Sequence, residues 1–296
     1  MKNNIRFIIT LLLIFALAGC KYADFMADYT YTAVYFPKLA NTRTFVVGEI
    51  QSIELGIVLG GKRANEVDEW VDYQIDPSLV PAGSTLLPAN FYTLSNSNRF
   101  TIPAGSMQGA ITITIDTAKF VNDPLALQAK YVLPFRLLTT SADSILPKQN
   151  THVLSLKYEH RLFGNYYHNG VTTMTSATGV VTTIGYHQNE PVTNAINNWI
   201  FTTTGPYTVK TSGISNLKDG VNNTFNITVN NNNTVVLSKN TASIYTVSPS
   251  GPCSYNAAKK EFYLQYSYTN AGNSYQVTDT LIFRNRILDG VNQWRW

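Results

Sequence analysis

The chain has 296 residues, of which 14% are charged and 12% are aromatic, and its formal net charge is +4. So small an excess of positive charge excludes the basic surface that nucleic-acid binding requires. The many aromatic residues and the few charged ones argue against a disordered chain and against a coiled coil. The composition is instead typical of β-rich extracellular proteins.

The N-terminus has the pattern of a lipoprotein signal peptide. Lys2 and Arg6 give it a positive charge, residues 7–17 are almost entirely apolar, and the sequence LAGC ends this stretch at residues 17–20. An apolar run of this length is typical of a signal peptide and is too short to cross a bilayer as a helix. Small residues before a cysteine are what lipoprotein signal peptidase requires.

Cleavage is therefore expected before Cys20, which would then carry the lipid. Several acyl chains on one cysteine give lasting membrane anchorage, whereas a single chain does not. Lys21 follows, so the aspartate that retains many lipoproteins in the inner membrane is missing. We predict a signal peptide at residues 1–19, a lipidated tether at residues 20–30 and a place on the outer membrane, at the cell surface.

Residues 31–158 show short strands with a two-residue period, separated by turn residues. The stretch AITITID at residues 110–116 alternates apolar and polar side chains, as a half-buried strand does. About seven such strands over this length are typical of an immunoglobulin-like sandwich.

Residues 159–296 contain fewer acidic residues and more Asn and Thr. Polar turns join the strands at 225–229 and 234–238, and again those at 261–268 and 275–284, into hairpins. Successive hairpins predict an antiparallel meander that closes into a lipocalin-like barrel, and a second sandwich is the alternative. The whole mature chain is thus predicted to be all-β.

An ordered series of short motifs runs through the first of these regions. The motifs are VYFP at 34–37, VVGE at 46–49, IDPSLV at 75–80, TIPAG at 101–105, YVLPFR at 131–136 and VLSLKYEH at 153–160. The series resembles the N-terminal domain of unknown function that is common in lipoproteins of gut Bacteroidota. The second region resembles the β domain that often follows it, through EFYLQYSYT at 261–269 and YQVTDTLIFRNR at 275–286.

This resemblance implies a function. Similar two-domain proteins occur in polysaccharide-utilisation systems, beside starch-utilisation-type outer-membrane transporters, and are regarded as surface glycan-binding proteins. The same N-terminal domain also precedes endo-β-N-acetylglucosaminidase barrels, but residues 159–296 are too few for such a barrel. The resemblance favours a glycan-binding accessory of a transporter. The alternative is a structural or adhesive surface module that binds a protein partner.

Catalysis and cofactors are not expected. The four histidines, His152, His160, His168 and His187, lack metal-ligand spacing with a carboxylate or a thiol. The acidic residues crowded into 66–72 have the alternation of a solvated strand face rather than that of a catalytic pair. Cys253 has no nearby histidine in the sequence and is interpreted as an inert thiol.

Sugar recognition requires only exposed aromatic rings and neighbouring polar groups. A ring stacks on the apolar face of a pyranose, while amides, carboxylates or guanidinium groups bind its hydroxyls. The candidates are Trp199, Tyr166, Tyr167, Trp294 and Trp296. Packing in the protein core is the alternative for each of these rings.

Three positions resemble the O-glycosylation acceptor of Bacteroidota, in which Ser or Thr follows Asp and precedes a small or apolar residue. They are Thr117, Ser144 and Thr280. Each is a candidate for glycan attachment on an extracellular surface.

Overall fold

The computed structural model describes residues 31–187, 198–218 and 220–294. Regular structure in these ranges is almost entirely β, which confirms the predicted fold class. The signal peptide, the lipidation site at Cys20 and the tether lie outside the described residues. Across the described ranges, no helix is long and apolar enough to cross a membrane.

The N-terminal domain is made of short strands joined by turns. Its strands are β1 (Ala33–Tyr35), β2 (Ala40–Val46), β3 (Ser52–Gly60), β4 (Glu69–Ile75), β5 (Thr85–Leu86), β6 (Tyr92–Leu94), β7 (Arg99–Ile102), β8 (Gln108–Ile115), β9 (Tyr131–Thr140), β10 (Ser144–Ile145) and β11 (Thr151–Glu159). Its short helices are α1 (Thr117–Phe120) and α2 (Pro124–Leu127), with 3₁₀ turns at Pro77–Leu79, Ala89–Phe91 and Pro147–Gln149.

Two sheets pack face to face in this domain. One has the order β10-β1-β3-β8-β6 and the other β2-β11-β9-β4-β7, with β5 beside β9. In β3 the residues Ile53, Leu55 and Ile57 are buried while Ser52 and Glu54 are exposed, as the alternating sequence requires. The sandwich departs from an all-antiparallel arrangement because β1–β10, β2–β11 and β5–β9 are parallel pairs.

The C-terminal domain is also made of strands. They are β12 (Gly164–Thr175), β13 (Val181–Tyr186), β14 (Asn198–Gly205), β15 (Thr208–Lys210), β16 (Gly213–Ile214), β17 (Leu217–Lys218), β18 (Phe225–Val229), β19 (Val235–Lys239), β20 (Ser248–Pro249), β21 (Ser254–Asn256), β22 (Glu261–Asn270), β23 (Asn273–Leu288) and β24 (Val291–Trp294).

These strands form a closed antiparallel meander. The order β19-β18-β15-β14-β12-β23-β22 is continuous, and β21 pairs with β22. The ring closes because the Val235 amide donates to the Cys253 carbonyl (3.0 Å) and the Tyr255 amide donates to the Asn233 carbonyl (2.9 Å). The strands follow one another around the ring in chain order, which is the up-and-down connectivity that the hairpins predicted.

Side chains fill the interior of this ring. Trp199, Tyr166, Tyr266 and Phe201 are among the largest fully buried side chains described. A polar cluster lies among them, centred on Asp279, which has no exposed surface.

Three polar side chains surround Asp279. The hydroxyls of Tyr266 and Tyr186 donate to its carboxylate at 2.7 and 2.5 Å, and His168 Nε2 lies 3.0 Å from it. Gly170 leaves room for the cluster, since a Cβ there would lie 2.3 Å from Asp279 Oδ1. A buried carboxylate is tolerated only with such partners.

Side-chain contacts join the two domains in addition to the covalent connection between β11 and β12. Asp289, in the turn between β23 and β24, accepts from the Thr44 amide (3.0 Å) and hydroxyl (2.7 Å), and Arg43 Nε lies 3.2 Å from it. The Thr203 hydroxyl donates to Glu159 and accepts from the His160 amide (2.9 Å). These contacts hold the barrel against one end of the sandwich.

His160 at this junction makes the fold sensitive to acid. Burial, and to a lesser extent Arg161, lowers the pKa of His160 from 6.5 to about 4, and its Nδ1 accepts a hydrogen bond from the Leu162 amide (3.1 Å). As the pH falls below 6.5, this histidine therefore binds a proton in the unfolded chain but stays neutral in the folded chain. Because of this histidine, we expect the free energy of unfolding to fall by about 2 kcal/mol when the pH is lowered from 7 to 5.

Urea denaturation of wild type and His160→Asn at the two pH values measures this loss. The asparagine oxygen can accept the same amide without binding a proton, so the variant should lose less stability on acidification. His187→Asn is the control because His187 is exposed. An equal pH dependence in all three proteins would contradict the prediction.

Candidate functional site

Two of the predicted sugar-binding rings lie in the core. Trp199 is 0% exposed and stacks on His168 with ring centroids 4.1 Å apart, and Tyr166 is 1% exposed with its centroid 4.3 Å from that of Phe201. A ring enclosed on both faces cannot stack on a sugar. The prediction that Trp199 and Tyr166 are surface platforms is therefore wrong, and both are packing residues on the inner face of the barrel.

Two other predicted rings lie together on the outer face of the barrel. Tyr167 follows Tyr166 on β12 and its side chain is half-buried, whereas Trp294 at the end of β24 is 53% exposed. The guanidinium carbon of Arg284 on β23 lies 5.9 Å from the ring centroid of each. An arginine thus lies between two aromatic rings, within the distance at which cation–π attraction acts.

A β-bulge positions this arginine. Tyr166 pairs with Phe283 and Asn165 pairs with Asn285, so Arg284 has no partner of its own on β12. A bulge inserts one extra residue into a strand and changes the direction of its side chains. Nothing in the alternating sequence of this strand indicates such an insertion, so the position of Arg284 could not be predicted from the sequence.

The same outer face continues onto β22. Tyr167 and Glu261 both pair with Ile282, from opposite sides, and the hydroxyl of Tyr263, which is 40% exposed, donates to Glu261 (2.8 Å). Neighbouring strands lie about 5 Å apart, so these side chains extend the patch across about three strands. We call the set Tyr167, Glu261, Tyr263, Arg284 and Trp294 the aromatic surface.

The guanidinium of Arg284 gives the aromatic surface a positive charge. Arg284 Nε is buried and has no hydrogen-bond partner among the described residues. Because this Nε is buried, it is not the part of the guanidinium that an external ligand would contact. The surface combines this guanidinium with two aromatic rings and the Glu261 carboxylate, which is the chemistry that recognises a pyranose.

A broad depression on the N-terminal domain lacks aromatic rings. A shallow cavity of about 740 Å³ covers the outer face of β3 and β8, lined in part by Gly56, Gly109, Ala110 and Thr112. None of its lining residues is aromatic. It offers hydroxyl and amide groups but no stacking platform, so the aromatic surface fits a sugar better.

The acidic stretch of the N-terminal domain is engaged in structural contacts. Asp72 accepts from Arg99 at 2.6 and 3.1 Å, which lowers the pKa of that carboxyl, and Glu69 is only 8% exposed and accepts from Ser141 (2.6 Å). Asp68 accepts from the Ala104 amide (2.8 Å). Each of these carboxylates thus accepts hydrogen bonds from a different part of the domain. Over the described ranges, no three His, Cys, Asp or Glu side chains are grouped to hold a metal ion.

The remaining predicted sites keep the status of predictions. Trp296 and Cys20 lie outside the described residues. Thr117 is half-buried at the start of α1, Ser144 is half-buried in β10, and Thr280 is half-buried on the outer face of β23. The aspartate before Thr280 is Asp279, whose carboxylate points into the barrel.

The comparisons with known proteins agree with the predicted family. Residues 29–144 match a family model described as a "-like, N-terminal domain". The matched residues cover most of the sandwich, so the similarity concerns the N-terminal domain. No curated protein matches the chain.

A solved structure shares the whole two-domain fold. It is a structural-genomics crystal structure of unknown function from Bacteroides ovatus, with a TM-score of 0.72 and 18% identity, and the match covers 90% of this chain and 98% of that chain. A multidomain Bacteroides ovatus protein including DUF1735 matches with a TM-score of 0.43 and 13% identity, over 88% of this chain and 97% of that chain. The first similarity shows a common fold, and the second is too weak to support an argument.

Proposed function

We propose that this chain is a non-catalytic glycan-binding lipoprotein of the cell surface, with the sugar bound at the aromatic surface. The observation that carries the proposal is Arg284, placed by a bulge between the rings of Tyr167 and Trp294. The rings supply stacking faces and the guanidinium supplies a charged donor for hydroxyl or carboxylate oxygens.

The proposed context is an accessory role beside an outer-membrane transporter. The LAGC pattern that ends at Cys20 supports anchorage by lipid, and the match of residues 29–144 to the N-terminal domain model supports the resemblance to polysaccharide-utilisation lipoproteins. A glycosidase needs two carboxylates across a cleft, whereas the aromatic surface as defined has one, Glu261, on an open face. Binding without catalysis is the function that suits this arrangement.

A glycan screen with residues 21–296, expressed without lipid, tests the proposal by affinity gel and calorimetry. For a glycan that binds, Trp294→Ala should weaken the affinity about tenfold, because losing one stacked ring costs about 1–2 kcal/mol. Tyr207→Ala is the matched control, since Tyr207 is a 65% exposed ring elsewhere on the same domain.

Two results would count against this function. An affinity that is unchanged by both Trp294→Ala and Tyr167→Ala would show that the sugar does not bind at the aromatic surface. No binding across a panel of host and plant glycans would favour the alternative, a structural or adhesive module whose exposed rings contact a protein.

A further inference from the structure

A small pocket lies where the barrel meets the sandwich. Its volume is about 160 Å³, and residues of both domains line it, including Glu49 from the sandwich and Tyr166, Tyr255 and Phe283 from the barrel. The three rings give the pocket apolar walls. Electrostatic interactions are stronger beside such walls than in open water.

Cations predominate in the lining of this pocket. Arg161, Lys260 and Arg286 carry positive charges, and Glu49 is the one carboxylate among the lining residues. Arg286 is 6% exposed, and its Nη2 lies 2.6 Å from Glu49 Oε2, a carboxylate whose side chain is 41% exposed. The lining therefore has a net charge of +2.

The buried arginine is held in a fixed position. Its Nε donates to the Gln293 side chain (2.6 Å) and its Nη1 donates to the Arg161 carbonyl (3.3 Å). Two neutral acceptors and the Glu49 carboxylate set the orientation of this guanidinium, and Arg161 and Lys260 supply the surplus positive charge of the lining. Such prepositioned cations are the usual means of binding carboxylate, sulfate or phosphate oxygens.

We propose that this junction pocket binds one anionic group of a ligand, a carboxylate or a sulfate. A cavity of 160 Å³ holds the volume of about five water molecules, which suits a single oxyanion rather than a whole sugar chain. Arg161, Lys260 and Arg286 are the residues that contact the anion. The pocket is separate from the aromatic surface, and the proposal does not depend on sugar stacking there.

Thermal unfolding and calorimetry of residues 21–296 with sodium sulfate or sodium glucuronate test this site. At low millimolar concentration each binding anion should raise the melting temperature along a saturating curve, beyond sodium chloride of equal ionic strength. Lys260→Met should weaken the measured binding at least about tenfold, since it removes one of the charges that contact the anion. Lys259→Met is the matched control, because Lys259 is the exposed neighbour and does not line the pocket.

The two anions distinguish the sources of the group. A response to glucuronate alone identifies a carboxylate, and a response to sulfate alone identifies a sulfate ester; either supports the proposal. Arg161→Gln provides a second variant if Lys260→Met does not fold. Trp294→Ala should leave the anion response intact, so this test and that of the aromatic surface can fail separately.

Three outcomes would overturn the proposal. The first is a shift that grows linearly with sulfate, which is the general effect of an excluded salt. The second is an equal shift with uncharged glucose. The third is an equal loss of binding in the Lys260 and Lys259 variants.

Discussion

Replacing Trp199 with alanine is expected to lower the free energy of unfolding by about 3–5 kcal/mol. The indole is 0% exposed and lies between His168, at a centroid distance of 4.1 Å, and Phe225, at 5.9 Å. Gly213 packs against its edge, since a Cβ there would lie 2.8 Å from Trp199 Nε1. A side chain of this size leaves a cavity that the surrounding strands cannot close. Urea denaturation followed by circular dichroism measures the loss.

Trp294→Ala is the matched control for this prediction. It makes the same chemical change at a ring that is 53% exposed, so its unfolding free energy should stay within about 0.5 kcal/mol of wild type. The two tryptophans should therefore separate stability from binding, with Trp199 affecting only the first and Trp294 only the second. Similar losses of stability in both variants would contradict the burial described for Trp199.

Asp279→Ala is expected to be equally damaging, with a loss of about 3–5 kcal/mol. The carboxylate has no exposed surface, and its removal leaves the Tyr186 and Tyr266 hydroxyls without their shared acceptor. Buried donors that lose an acceptor bear the full cost of their desolvation. Urea denaturation near neutral pH measures the effect.

Thr280→Ala provides the comparison on the same strand. Thr280 is the next residue and faces away from the barrel interior, so its replacement reports the ordinary cost of alanine at this point in β23. If Asp279→Ala were within about 1 kcal/mol of Thr280→Ala, the polar cluster would contribute little to the barrel.

Alternation in the sequence was sufficient to predict several strands of both domains, among them β8, β18 and β22, but not β12 or β13. Ile53, Leu55 and Ile57 face the core as their spacing requires, and so do Phe262 and Leu264 in the barrel. Hairpin turns indicated the chain-order meander, because short connections join antiparallel neighbours. The short strands β5 and β10 escaped prediction since two-residue strands have no period to detect.

The candidate site was harder to predict because aromatic residues serve in cores and on surfaces alike. Tyr166 and Tyr167 are neighbours in the sequence, yet β12 places one inside the barrel and the other outside. Sequence alone gives no sign of which tyrosine faces the solvent until the register of the sheet is known. Asp279 was likewise hidden, since its tyrosine and histidine partners come from β12, β13 and β22.

The bulge at Arg284 has a consequence for both proposed binding surfaces. In a regular strand Arg284 and Arg286 would point the same way, because they are two residues apart. The structure instead places Arg284 on the aromatic surface and Arg286 in the junction pocket, which also includes Phe283. One inserted residue thus divides two like charges between two environments, so the chemistry of each surface depends on the length of the strand as much as on its composition.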